Sequence, residues 1–173
     1  VIEPCYNIQL AVFFRLFGAV TGSVFALNMI FSVAGAFALR RLAAEAWGSL
    51  SGFMAAVLWA LYPPYVYYSA YAMTETAHFA LLMISLMFLF SAGRGKGTGI
   101  MAGVSLGAFF LIRATSIFLL PLEMFYLALK KRWRQLAFIS LGFALAVSPW
   151  VIRNAAVLGS PVLMPTKGAL NLW

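Results

Sequence analysis

The sequence predicts an all-α fold: a polytopic transmembrane helical bundle with about six membrane-crossing helices and one interfacial helix. Its 173 residues are 64% hydrophobic and 9% charged, whereas soluble domains are roughly 45–50% apolar and about 25% charged. The apolar runs are continuous and longer than the alternating segments of about ten residues in a membrane barrel. Lysines and arginines stand in small clusters between these runs, as they do in proteins oriented in a bilayer.

The net charge of +8 does not indicate nucleic-acid binding, because the sequence has no basic stripe with interleaved aromatics. The one cysteine, Cys5, cannot form an internal disulfide bond and says little about the redox compartment. No signal peptide is visible, the first residue is not Met, and Trp173 falls in a loop that contains Pro and Gly. We therefore expect the chain to be an internal piece of a longer protein.

The basic clusters mark the cytoplasmic ends of the predicted helices. They are Arg40-Arg41, Arg94/Lys96 and Lys130-Lys131-Arg132/Arg134. More than fifty residues separate Arg41 from Arg94, enough for two passes of about 20 residues each. The break between these passes is predicted at 62–75, where two prolines and several tyrosines suit the membrane–water boundary. Counting back from Arg40, a helix of about 20 residues begins near Thr21.

The second half of the chain is predicted to cross the membrane three times. Between Lys96 and Lys130 lie 33 residues, which would form one helix about 50 Å long, too long for a hydrocarbon core of about 30 Å. Two short passes with Arg113 at the turn fit better. From Arg134, about 16 residues lead outward to Trp150, where Pro149 is predicted to bend or end the helix.

The whole chain, 1–173, is predicted to be a single transmembrane domain. Residues 1–20 form an external loop with a short interfacial helix at 8–18, residues 21–150 form the membrane helices, and residues 151–173 start an external loop. Eight of the twelve basic residues then lie inside. The other four basic residues lie outside, against the positive-inside trend, so their position needs another explanation. They are Arg15, Arg113, Arg153 and Lys167.

Arg113 lies in the apolar stretch FFLIRATSIF. An ionisable group at such depth costs a few kcal/mol unless it is paired or faces a polar cavity. It either snorkels or pairs with a carboxylate such as Glu75, or its guanidinium fork holds a phosphate at the membrane surface. Arg153 and Asn154 follow a Pro-Trp pair and could bind a lipid headgroup or a specific anionic ligand.

Glu75 is predicted to start a helix after Thr74, where a carboxylate suits the helix dipole. His78 lies on the same face, but one Glu/His pair supplies only two metal ligands. A divalent metal is therefore a weak candidate, and no cofactor is assigned. Tyr68 and its neighbouring tyrosines form an interfacial belt, or stack on a sugar or polyprenyl chain. Glu123 is predicted to pair with a basic residue near the inner surface.

Three stretches together carry a resemblance to a known family. In order they are ALYPPYVYYSAYAMTETAHFALL, GVSLGAFFLIRATSIFLLP and SPWVIRNAAVLGSPVLMPTKGALNLW. They resemble the polytopic glycosyltransferases of the C-type fold, and in particular bacterial relatives of the dolichyl-phosphate-mannose protein mannosyltransferases and the lipid A aminoarabinose transferases. The residues that carry the resemblance are Tyr62-Pro63, Ser69, Glu75, Arg113, Pro149-Trp150, Arg153-Asn154, Gly168 and Asn171-Leu172.

The resemblance implies a transferase that takes a sugar from a polyprenyl-phosphate carrier, without a nucleotide sugar. It would act on the extracytoplasmic face of the bacterial inner (plasma) membrane, among membrane lipids, on a glycan, lipid or protein acceptor. Two arginines would hold the lipid phosphate and stabilise the charge left as the glycosyl bond breaks. The substrate-binding residues it implies are Arg113, Arg153, Asn154, Glu75, Tyr68 and Lys167.

The chain departs from the family in its acidic residues. The family's catalytic base is an acidic residue, usually Asp, in the first external loop. This chain contains no Asp, and Glu3 does not match the motif position. We therefore expect the base to lie upstream and this piece to be inactive alone.

Two other classes of protein compete with the transferase. A transporter or flippase for an anionic lipid or solute would use the same arginines, but it would be expected to show internal repeats or paired broken helices, and the sequence shows neither. A non-catalytic membrane subunit that binds a partner through its external loops would give Arg113 no evident purpose.

Overall fold

The computed structural model describes residues 4–91, 95–113, 116 and 118–159. Over these residues the chain forms eight α-helices and no strand, which confirms the predicted all-α class. The helices are α1 (Pro4–Phe17), α2 (Thr21–Trp47), α3 (Ser49–Leu61), α4 (Pro63–Ser69), α5 (Glu75–Ser91), α6 (Lys96–Ile112), α7 (Leu119–Leu129) and α8 (Trp133–Leu158).

Six of these helices are apolar. By length and composition, α2 with 27 residues and α8 with 26 can cross a bilayer, since a span needs about 20 residues. The shorter apolar helices are α3, α5, α6 and α7, with 13, 17, 17 and 11 residues. The six coincide in position with the six predicted passes. Because only two reach spanning length in the described part of the chain, the number of crossings stays a prediction.

Small residues let α6 and α8 touch along their backbones. Glycines recur every fourth residue in α6 and form a stripe that faces α8: Gly99, Gly103 and Gly107. A Cβ on Gly103 would collide with the carbonyl oxygen of Ile139 and lie 2.9 Å from the Cα of Gly142. One on Gly107 would lie 2.6 Å from the Cβ of Ala146. This small-residue contact is typical of membrane helices, which gain little from burying apolar side chains against each other.

A second close contact joins α2, α3 and α5. A Cβ on Gly35 of α2 would lie 2.7 Å from the Trp59 ring of α3 and 3.1 Å from Ala80 of α5. The Trp59 indole nitrogen donates a hydrogen bond to the Ser32 carbonyl, at 3.2 Å. Between α2 and α3 the chain turns at Gly48, whose φ of 93° disfavours any side chain. These three helices therefore form one packed layer beside the α6–α8 pair.

Several predicted boundaries agree with the structure. The first long helix begins at Thr21, α5 begins at Glu75, and α6 ends just before Arg113. A helix also covers the segment predicted to be interfacial, and in it Arg15 is exposed while Tyr6 is buried. The end of α6 therefore falls at Arg113, where the spacing of the basic residues predicts a turn.

The end of α8 differs from the prediction. The helix continues through Pro149 to Leu158, so residues 151–158 are helical and do not start a loop. Proline cannot donate the backbone hydrogen bond that would reach the carbonyl of Leu145. The Ser148 hydroxyl donates to that carbonyl at 3.3 Å, and such side-chain bonds let apolar helices tolerate proline.

Helix direction sorts the charges to two ends. Along α2, Asn28 meets Tyr71 just before α5 and Gly35 meets Ala80, so α2 and α5 run parallel. Along α6, Gly99 meets Phe138 and Gly107 meets Ala146, so α6 and α8 also run parallel. The end where α2 and α5 begin and α6 and α8 finish is called here the Arg113 end, and Arg153 lies there too. The opposite end carries seven other basic residues: Arg40, Arg41, Lys96, Lys130, Lys131, Arg132 and Arg134.

The α6–α8 contact makes the first prediction. Gly103→Leu should destabilise the fold by roughly 1–3 kcal/mol or more, because the added side chain meets backbone atoms that cannot move away. Gly97→Leu is the matched control, because a Cβ on this α6 glycine meets nothing within 4 Å. Unfolding in detergent micelles would measure both variants. Equal stability of the two would contradict the close packing of α6 on α8.

Candidate functional site

An ion pair joins α5 and α6 at the Arg113 end. The Nη2 atom of Arg113 lies 3.3 Å from Oε1 of Glu75, with side chains 43% and 23% exposed. Glu75 is the first residue of α5, and Arg113 directly follows α6. The structure thus shows the carboxylate pairing considered for Arg113 from the sequence. A guanidinium has five N–H donors, so this single contact leaves donors on the half-exposed Arg113 for a further anion.

A buried asparagine organises the segment that precedes α5. Asn28 of α2 is fully buried, and its Nδ2 donates to the carbonyls of Ser69, at 3.0 Å, and Tyr71, at 2.7 Å. Its Oδ1 accepts a hydrogen bond from the Tyr6 hydroxyl at 3.0 Å. One side chain therefore ties α1 and the 62–74 segment to α2. Sequence reasoning missed Asn28, although a lone amide within an apolar run was a usable signal.

Two tyrosine hydroxyls support the same segment as hydrogen-bond donors. Tyr65 donates to the Thr76 carbonyl at 2.9 Å, and its ring lies 4.3 Å from that of Trp59. Burial raises the pKa of Tyr65. Burial also raises the pKa of Tyr6; the hydrogen bond to Asn28 lowers it and the charge of Glu75 raises it further. Both phenols therefore stay protonated, which their role as donors requires.

Tyr68, predicted to bind substrate, lies half-buried on α4. Its ring meets that of Tyr67 edge-on, with centroids 5.8 Å apart, and Tyr67 also packs against Tyr71 at 4.9 Å. Tyr67 and Tyr71 are exposed. These three rings form an aromatic cluster at the Arg113 end, and the binding role of Tyr68 stays a prediction.

Arg153 and Asn154 hold each other on the last turns of α8. The Nη1 atom of Arg153 donates to Oδ1 of Asn154 at 3.2 Å, and the guanidinium carbon lies 5.1 Å from the centre of the Trp150 ring. Asn154 is fully buried while Arg153 is exposed. The amide and the indole therefore fix an exposed cation at this end of the bundle. Lys167, the other predicted binding residue of this region, lies outside the described residues.

Glu75 and His78 contact different groups in the structure, and their role as a weak metal pair stays a prediction. His78 stacks on Phe109, with ring centroids 4.3 Å apart and 28° between planes, while Glu75 contacts Arg113. Among the described residues, no group of three or more His, Cys, Asp or Glu side chains could hold a metal ion. The Glu75–His78 pair offers two ligands, fewer than a structural or catalytic zinc site uses.

A cleft of about 310 Å³ opens beside His78. Its walls include Phe109, Ser116 and Phe118, and the remaining lining residues are leucines. An apolar groove, also of about 310 Å³, lies between α5 and α7. Leu119 and Leu122 line both spaces, so the cleft and the groove adjoin.

Glu123 lines the groove between α5 and α7. The prediction that it pairs with a basic residue is wrong. Glu123 is 2% exposed, and its Oε1 accepts a hydrogen bond from the Ser85 hydroxyl at 3.3 Å. The prediction took its position from the nearby lysines, whereas the rotation of α7 turns this residue toward α5. Glu123 therefore connects two helices within the bundle.

The profile of the dolichyl-phosphate-mannose-protein mannosyltransferase family matches residues 4–157. The chain belongs to this family. The match confirms the resemblance found in the sequence and covers Glu75, Arg113, Arg153 and Asn154. It makes the chain part of a membrane glycosyltransferase of the mannosyltransferase kind. Comparison with curated proteins and with solved structures returned no match.

The asparagine contacts of the site make the second prediction. Asn28→Leu should lower the free energy of unfolding by about 3 kcal/mol, because a buried polar group left unsatisfied costs roughly 1–3 kcal/mol and three groups lose their partner. Tyr6→Phe should cost less, about 1 kcal/mol. Tyr62→Phe, at a 58% exposed position, should change little. Denaturant titration in micelles would decide, and equal stabilities of all three variants would contradict the role of Asn28.

Proposed function

We propose that this member of the mannosyltransferase family moves a sugar from a polyprenyl-phosphate carrier to an acceptor on the extracytoplasmic face of the bacterial inner membrane. The observation that carries the proposal is Arg113. It is a half-exposed guanidinium with one carboxylate contact, at the end of the bundle that also presents Arg153. The His78 cleft lies about one helical turn from it, and the apolar groove adjoins that cleft through Leu119 and Leu122.

The two arginines suit a lipid phosphate. A guanidinium matches the oxygens of a phosphate with paired donors, which a lysine cannot do. Breaking the glycosyl–phosphate bond leaves additional negative charge on the phosphate. Arg113 is already held by Glu75, and Arg153 by Asn154 and Trp150. Because the two arginine side chains are already held in place, they can stabilise the negative charge that develops on the phosphate without first changing position.

The α5–α7 groove suits the polyprenyl chain. Its lining is apolar apart from Glu123 and the hydroxyl of Tyr126, and it adjoins the His78 cleft through Leu119 and Leu122. Burial of hydrocarbon contributes roughly 0.8 kcal/mol per methylene group. A carrier with its phosphate near Arg113 therefore gains from placing part of its chain along α5.

We propose, as the family resemblance implies, that an acidic residue upstream of this chain deprotonates the acceptor. The chain has no Asp, Glu75 is paired with Arg113, and Glu123 is buried at the groove. This sequence therefore supplies donor binding within a membrane domain of about six crossings, with Asn154, Tyr68 and Lys167 as further binding residues. The acceptor, whether glycan, lipid or protein, meets the donor at the same face.

The third prediction concerns the phosphate. Arg113→Ala should weaken retention of polyprenyl phosphate roughly ten- to hundredfold, because a hydrogen bond to a charged group contributes roughly 1.5–3 kcal/mol. Arg153→Ala should also weaken it. Native mass spectrometry of the full-length protein with added polyprenyl phosphate measures the retention. Arg41→Ala is the matched control, since Arg41 makes a similar 3.3 Å contact with Glu45 at the opposite end.

A fourth prediction separates phosphate binding from a purely structural ion pair. Glu75→Gln should leave retention of polyprenyl phosphate unchanged or stronger, because it removes the anion that competes for Arg113. If the pair only holds α5 against α6, Glu75→Gln and Arg113→Ala should lower stability alike and leave retention by the folded protein unchanged. That second result would overturn the phosphate role.

A further inference from the structure

Helix α2 carries an open apolar groove on its outer face. The groove has a volume of about 770 Å³, and every residue that lines it is apolar. Its larger side chains are between 47% and 63% exposed: Phe25, Met29, Ile30, Val33 and Phe37. The opposite face of α2 packs on α3 and α5 at Gly35. The groove therefore lies on the outside of the described bundle, and it is called here the α2 groove.

The α2 groove ends at two arginines. A smaller pocket of about 260 Å³ is lined by Phe37, Arg40, Arg41 and Ala44. Because Phe37 lines both spaces, the pocket continues the groove toward the end of the bundle opposite Arg113. Both arginines of the pocket are exposed. One apolar stripe on one helix therefore leads directly to cationic side chains.

The two arginines of the pocket differ in their partners. Nε of Arg41 lies 3.3 Å from Oε1 of Glu45. The other two carboxylates of the described residues lie elsewhere, Glu75 at Arg113 and Glu123 between α5 and α7. Among the described residues, no carboxylate forms an ion pair with Arg40. Arg40 is therefore the cation best placed to bind an anion at the end of the groove.

The length of the α2 groove matches the depth of one bilayer leaflet. Phe37 lies 12 positions after Phe25, which corresponds to about 18 Å along the helix axis at roughly 1.5 Å per residue. Half of a hydrocarbon core of about 30 Å is about 15 Å. A chain lying in the groove therefore reaches from the bilayer centre to the level of Phe37. Arg40, about one turn further along α2, then lies at the level of the lipid phosphates.

This combination of an apolar groove and a terminal arginine fits an anionic phospholipid. A guanidinium pairs well with phosphate oxygens, and the aliphatic part of an arginine can lie on apolar surface while its charged group stays at the interface. The basic clusters predict that this end faces the cytoplasm, where the leaflet contains anionic lipids that attract arginine. A second copy of the chain fits the groove less well, because a symmetric contact would bring the arginines of both copies together.

We infer that the α2 groove and Arg40 form a binding site for an anionic phospholipid of the cytoplasmic leaflet. One acyl chain lies along α2 between Phe25 and Phe37, and the phosphate contacts the Arg40 guanidinium. The site is at the opposite end of the bundle from Arg113 and does not depend on the proposed transfer of a sugar. A lipid bound there stabilises the depth of α2 in the bilayer.

The first test measures headgroup preference by native mass spectrometry of the full-length protein. Phosphatidylglycerol and phosphatidylcholine with the same acyl chains are added in equal amounts, and the parent should retain more phosphatidylglycerol. Arg40→Gln should reduce this preference roughly fivefold, which is the contribution of one arginine near an anionic membrane surface. Arg132→Gln is the matched control, since Arg132 is exposed at the same end and lines neither the groove nor the pocket.

The second test concerns the apolar part of the site. Phe37→Ala should lower retention of both phospholipids roughly three- to tenfold, because the acyl chain loses apolar surface against which it packs. Leu58→Ala is the control, because this α3 side chain is 66% exposed and does not line the groove. Both Arg40 and Phe37 are exposed, so the two variants should fold like the parent.

The results of these tests support or overturn the inference directly. Loss of the headgroup preference in Arg40→Gln, with Arg132→Gln unchanged, supports the site. Equal losses in the two arginine variants indicate an attraction spread over all the basic residues and overturn it. The inference is also overturned if Phe37→Ala retains both lipids like the parent, if the folded parent shows no preference, or if electron cryo-microscopy of the full-length protein shows another protein helix in the groove.

Discussion

The Glu75–Arg113 ion pair joins two helices of a largely apolar bundle at the point where α5 begins and α6 ends. Removing one member of a largely desolvated pair costs roughly 3–5 kcal/mol, and less here because both side chains are partly exposed. The pair joins the first residue of α5 to the residue that follows α6. One turn deeper, His78 stacks on Phe109, and the cleft lies beside them.

The Arg113 end of the bundle is held by different interactions from its middle. At the Arg113 end, directed hydrogen bonds from Asn28, Tyr6 and Tyr65 fix α1 and the 62–74 segment. In the middle, backbone contact at Gly103 and Gly142 replaces such bonds. Polar groups that a ligand can reach are therefore concentrated where the helices end, which suits chemistry at a membrane surface better than passage through the bundle.

Part of this organisation could be predicted from the sequence. Charges and prolines mark helix ends, so the starts at Thr21 and Glu75 and the turn at Arg113 followed from spacing alone. The continuation of α8 did not follow from the sequence; in the structure the Ser148 hydroxyl bonds to the Leu145 carbonyl, which Pro149 cannot reach as a donor. A proline by itself predicts a break, and only a local side-chain contact reverses that expectation.

The site was predictable in its charges and not in its buried polar groups. Arg113, Arg153 and Glu75 stand out in a chain with few charges, whereas the lone amide of Asn28 signals a polar contact without showing which groups it bonds to. His78 and Ser116 line the same cleft although they are far apart in the sequence. Their proximity is a feature of the tertiary structure. Hydrophobic periodicity reports which face of a helix is apolar, and not what stands opposite it.

The position of the carrier phosphate on the protein tests this account most directly. Electron cryo-microscopy of the full-length protein in lipid nanodiscs with bound polyprenyl phosphate would locate it. The account predicts phosphate oxygens within hydrogen-bond distance of the Arg113 guanidinium, with the hydrocarbon chain entering the groove between α5 and α7. A phosphate bound away from Arg113, with the ion pair to Glu75 undisturbed and the groove filled by ordinary lipid, would contradict it.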